Sequence, residues 1–264
     1  MIPLVARSFG RIAMPFGAVA AVLTAFQVAL IAVASSLARD GEFDRLADIV
    51  PAALRPALAP ALTSFGSMTL FGYFDVLIVM IVVQWAIVAA TEPAGEIETG
   101  LVDLVLARPL PRHRLVTRAL AVTFGSSLTL ALAMGSGTLI GLLLLTPHGD
   151  AWPEPRLVVL MIAHLTAVAW CFGAAGVAAC GWARRRASAI AVVAIASMVC
   201  YLVDMLGMWW APLEPLARLT PFYYFHGGAL IAGTADPAWN LAVLSATTAA
   251  AAAIAYWRFE RRDL

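Results

Sequence analysis

Six long apolar stretches separated by polar connections set the pattern of this chain. They cover residues 12–38, 66–91 (interrupted only by Asp75), 119–147, 157–183, 187–211 (interrupted by Asp204) and 237–257. A bilayer core of about 30 Å takes roughly 20 helical residues, so every run is long enough to cross it. No segment shows the ten-residue alternation of a membrane β-strand. In lipid the backbone must satisfy its own hydrogen bonds, so the runs are predicted to be α-helices. The expected fold is all-α and polytopic: one transmembrane domain over residues 1–264 with six spans. The first run follows Arg7 and Arg11, and Ser36-Leu37-Ala38 looks like a leader cleavage site. It is much longer than the roughly 7–15 apolar residues of a leader, so it is read as a retained span.

Composition sharpens this picture. The chain is 62% hydrophobic and 12% charged, with a mean hydropathy of +0.89. A soluble domain carries roughly 25% charged residues, so an ordinary soluble enzyme, a disordered chain and a disulfide scaffold are all excluded. The net charge of +1 offers nothing to nucleic acid. All 17 basic residues are arginine, and lysine is absent. A phosphate-binding P-loop needs Lys, so any ATP hydrolysis that powers this protein must be supplied by another polypeptide. Cys171, Cys180 and Cys200 lie in apolar runs without metal-ligand spacing and read as small buried residues. His113, His148, His164 and His226 are scattered and form no metal constellation.

Arginine in the connections sets the orientation. Arg7 and Arg11, then Arg108, Arg112, Arg114 and Arg118, then Arg184, Arg185 and Arg186, and finally Arg258, Arg261 and Arg262 fall on one side. Arg39, Arg45, Arg55, Arg156 and Arg218 fall on the other. Twelve against five places both termini in the cytoplasm.

The largest cytoplasmic connection is 92–118. Pro93 permits a helix start and Pro109 stops one. Helical spacing puts Ile97, Leu101, Leu104 and Val105 on one face. Glu96, Thr99, Gly100 and Asp103 fall on the opposite face, with Glu98 at the boundary and Arg108 beyond the last turn. Either this helix lies under the headgroups, or it is a lever that a partner grips. The connection 212–236 is apolar and aromatic, yet broken by Pro212, Pro215, Pro221, Gly227, Gly228 and Gly233. It reads as two short helices on or in the outer leaflet, either a plain interfacial hairpin or an external gate.

Polar residues inside spans are costly, about 2.5–3.5 kcal/mol for a central Asp. Asp75 and Asp204 sit in outer halves of their spans and should face the bundle or water. They either line a path, together with Gln27, Gln84 and His164, or cap helix ends. Gly137 with Gly141, and Gly173 with Gly176, predict tight helix packing or dimerisation.

Three segments carry a resemblance. Glu92, Gly95, Ile97, Glu98, then Leu106-Ala107-Arg108-Pro109-Leu110 and Arg112 resemble the loop after the second helix of ABC-2 type (type V exporter-like) ABC transporter permease subunits. Thr220-Pro221-Phe222-Tyr223-Tyr224-Phe225 with Gly233 is similar to that family's segment before its last helix. Phe259-Glu260-Arg261-Arg262-Asp263-Leu264 is similar to its frequent terminus.

The resemblance implies a permease subunit in the plasma membrane, paired with a second permease chain, identical or related. Two separate ATPase subunits would hold the ATP and Mg, with no cofactor on this chain. The helix at 95–107 would be the coupling helix. Glu92, Gly95, Glu96, Ile97, Glu98, Gly100, Leu101, Asp103, Leu104 and Arg108 would form the contact with the ATPase. Pro221, Phe222, Tyr223, Tyr224 and Phe225 would form the outer gate. One alternative is an ion- or proton-coupled secondary transporter using Asp75 and Asp204. Another is an intramembrane hydrolase pairing Ser136 with His164.

Overall fold

The computed structural model describes residues 2–43, 62–98, 113–183 and 185–261. Six helices are long and apolar enough to cross a membrane: Ala13–Asp40, Phe65–Glu96, His113–Leu145, Pro155–Cys180, Arg186–Trp209 and Pro237–Glu260. They are the first to sixth spans. No strand occurs among the described residues. The protein is an all-α, multi-pass membrane protein.

The helices start and stop where local chemistry dictates. Pro155 opens the fourth span and Pro237 the sixth, where a missing N–H does no harm. Asp236 caps the sixth span, accepting from the N–H groups of Ala238 and Trp239. The first helix begins at Ile2, well ahead of residue 12 where the apolar run starts.

The second span departs most from the expected unbroken rod. It consists of three pieces, Phe65–Phe71, Val76–Ala90 and Glu92–Glu98. Ser64 and Ser67 form a capping box at its start. The helix breaks at residues 72–75 and restarts at Asp75, whose Oδ1 accepts from the N–H groups of Leu77 (3.0 Å) and Ile78 (3.4 Å). The break turns Tyr73 N–H to the Leu70 carbonyl, which leaves the Thr69 carbonyl without its usual partner. Gln27 of the first span supplies one, its Nε2 donating over 2.8 Å. A freed carbonyl in the membrane is tolerated because a neighbouring helix satisfies it.

The second and fourth spans form the centre, with 56% and 61% of their most apolar windows buried, against 17–22% for the first, fifth and sixth. The core joins Leu70, Val82 and Val83 to Leu130, Met134, Leu165 and Val168. Gly137 and Gly141 prove to be an internal contact. A Cβ at Gly137 would lie 2.8 Å from the Thr24 carbonyl, so the third span meets the first backbone to backbone.

Candidate functional site

Residues 210–236 fold as a chain of short turns: Ala211–Leu213, Glu214–Ala217, Pro221–Tyr224 and Gly227–Ile231. The prolines and glycines forbid a continuous helix, so the segment folds back into the bundle instead of crossing it. Thr220 caps the third turn by accepting from Tyr223 N–H. Phe222 is buried against Phe172 (ring centroids 5.2 Å apart) and meets Tyr201 edge-on at 5.5 Å. Tyr201 lies about two helical turns, ~12 Å, below the end of the fifth span. The aromatic turn of this segment therefore packs into the bundle, while residues 211, 212, 215, 216, 218 and 219 before it are exposed. The arginine distribution predicts that this end of the bundle is the outer one.

Between this segment, the break in the second span and the fifth span lies a cavity of about 240 Å³. Its wall includes Phe71, Phe74, Phe222 and Phe225, and its polar groups include Asp75, Tyr201, Asp204 and His226. Asp204 is 5% exposed, and its two carboxylate oxygens lie 3.1 and 3.0 Å from His226 Nε2. That contact pins this segment to the fifth span. Beside it, Arg218 and Glu214 form an exposed pair at 2.6 Å, and the carboxylate raises the Arg218 pKa.

The opposite end is built from charge. The helical turn Glu92–Glu98 continues the second span after a break at Thr91. Pro93 explains this break, because it cannot donate to the Ala89 carbonyl. Glu96 forms a buried ion pair with Arg118 of the third span, at 8% and 4% exposure. Glu98 Oε2 accepts from Arg186 N–H over 2.9 Å, capping the fifth span from another segment. Arg186 also reaches the Val88 carbonyl at 3.1 Å. Arg258 lies 5.0 Å from the Trp182 ring centroid and Arg261 4.6 Å from that of Trp257.

The family model described as "Multidrug efflux system permease Rv1217c, C-terminal domain" matches residues 56–260, from the approach to the second span through the sixth. The chain belongs to this family. No curated protein matches it.

On this permease scaffold the sequence-derived sites distribute unevenly. Of the five polar residues considered for a path, only Asp75 and Asp204 line the outer cavity. Gln27 is buried at the helix break, and Gln84 donates to Ser197 Oγ at 3.0 Å, linking the second and fifth spans. His164 is fully buried; its Nδ1 donates to the Leu160 carbonyl, and its Nε2 has no hydrogen-bond partner among the described residues. Ser136 is exposed and donates to the Ala133 carbonyl, so no Ser–His pair forms.

The aromatic run divides: Phe222 and Phe225 are buried, whereas Pro221, Tyr223 and Tyr224 are half-buried. At the other end, Glu96 does not face outward as its helical position suggests. It turns inward to Arg118, because a carboxylate beside a buried guanidinium is better placed than either charge alone. Glu92 is likewise buried, and Gly95 packs beside the Arg186 side chain. Gly100, Leu101, Asp103, Leu104 and Arg108, and the side chain of Ile97, lie outside the described residues.

His226, Arg118 and Phe74 are the residues that sequence reasoning missed. His226 ends the aromatic run and Arg118 lies inside a membrane-length helix. Both positions carry a signal, since buried ionisable groups at membrane depth need partners.

Proposed function

We propose that this chain is the membrane-spanning permease subunit of an ATP-driven exporter of ABC-2 type, with drug-like molecules as cargo. The family match over residues 56–260, on a bundle of six membrane-length helices, carries the reading. A lysine-free sequence has no P-loop, which supports a separate ATPase subunit as the holder of ATP and Mg. Two permease chains and two ATPases in the plasma membrane form the working unit.

The ATPase acts on the connection that begins at Glu92. Three features support transfer of its push. Glu92–Glu98 is the direct extension of the second span. Glu96 and Glu98 brace it to the third and fifth spans. The same second span borders the outer cavity at its other end. Displacement at one end of this braced unit would therefore reach the aromatic cavity at the other.

The test is affinity purification of the tagged chain, followed by uptake of a fluorescent drug into inverted vesicles. The expected result is a co-purifying ATPase with a P-loop and uptake that requires ATP. A chain that purifies alone and moves drug on a proton gradient without ATP overturns the proposal.

A further inference from the structure

We infer that the outer cavity binds organic cations, with Asp75 as counter-charge and the phenylalanine wall as the seat for an apolar ring. This inference rests on the permease reading and names the chemical class of its cargo.

The electrostatics of the cavity point one way. Among the described residues, its lining contains two carboxylates, Asp75 and Asp204, and no arginine. His226 contacts both oxygens of Asp204. Asp75 has no such partner. Its Oδ1 serves the helix cap, and Oδ2 makes no hydrogen bond or ion pair among the described residues. An anion entering here meets two carboxylates, whereas a cation finds one with an oxygen to spare.

The wall supplies the second half of the recognition. Phe71, Phe74, Phe222 and Phe225 surround the same space. Ring faces carry partial negative charge and attract ammonium groups, most strongly where water is excluded. Phe74 is held in place by a glycine: a Cβ on Gly227 would fall 2.1 Å from its ring. The backbone of the 210–236 segment thus presses directly on the aromatic wall. At about 240 Å³ the cavity is smaller than the roughly 300–1,000 Å³ of a drug-sized pocket. It recognises one ring and its charged head, and the rest of a larger cargo projects from it.

The probe pair is phenyltrimethylammonium and benzenesulfonate, similar in size and opposite in charge. Full-length protein in lipid nanodiscs is titrated with each by saturation-transfer NMR. The cation is expected to bind and the sulfonate not to. Asp75→Asn, which retains a capping side chain, should weaken the cation about tenfold, and Asp75→Glu should restore most of it. Phe74→Leu should weaken it without touching any charge. Asp236→Asn, an equivalent helix cap outside this cavity, should leave it unchanged. Equal binding of the sulfonate, or an unaltered cation affinity in both Asp75→Asn and Phe74→Leu, overturns the inference.

The two readings fail differently. ATP-driven export of anionic or neutral drugs only, with no cation binding, removes the cargo class and leaves the permease. Cation binding through Asp75 in a chain that recruits no ATPase removes the ATP-driven reading and leaves the site.

Discussion

His226 Nε2 lies 3.0 Å from Oδ2 of Asp204 and 3.1 Å from Oδ1, a contact that ties the segment of residues 210–236 to the fifth span. Asp204 is nearly buried, so its carboxylate depends on that partner. His226→Ala strands the carboxylate, while Asp204→Asn removes the charge that needs it. His226→Ala should therefore lower stability more, by about 1–3 kcal/mol, since the imidazole is partly exposed. Thermal unfolding of the two variants in one detergent checks the order. A smaller loss in His226→Ala contradicts it.

The Glu96–Arg118 pair changes what a mutation there would report. Glu96→Arg places two guanidiniums in a buried site and should destabilise the fold by about 3–5 kcal/mol. Loss of export in that variant would then measure unfolding and not coupling. The exchange Glu96→Arg with Arg118→Glu should recover most of the loss, as seen by gel filtration and melting temperature. Glu98 is exposed and better suited to a test of coupling.

Asp75 is a helix cap as well as a cavity wall. Asp75→Ala removes the acceptor for Leu77 and Ile78 and should cost about 1 kcal/mol, with Asp75→Asn closer to wild type. Equal melting temperatures for the alanine and asparagine variants would show that the cap carries no weight.

Gly137 is a contact, and Gly17 is not. Gly137→Ala drives a methyl into the Thr24 carbonyl and should cost about 1–3 kcal/mol by forcing the first and third spans apart. Gly17→Ala meets nothing within 4 Å and should be neutral or stabilising. The paired melting temperatures decide it.

Much of the architecture was legible because lipid imposes a strong rule. Residues 66–91 or 157–183 have no way to cross a bilayer except as helices, so span count and approximate boundaries follow from apolar run length alone. The sites were only half legible. Asp75 and Asp204 drew attention because a charge in an apolar run is expensive. Their surroundings did not. Phe74 and Phe225 read as two more apolar residues, and His226 as one histidine among four.

The sequence by itself determined six membrane-length helices, a chain without a nucleotide-binding lysine, and a proline-broken segment before the last span. Each depends on what one local stretch can do in lipid or cannot do chemically. Only the tertiary structure decided which charges meet: Glu96 with Arg118, twenty-two positions apart, and Asp204 with His226, twenty-two apart on another pair of elements. It also decided that Gly137 belongs to an internal seam and that four phenylalanines line one cavity. The reason is physical. Burial of a charge or a ring is set by what packs across from it, and that neighbour comes from a different helix whose rotation and depth no local pattern records.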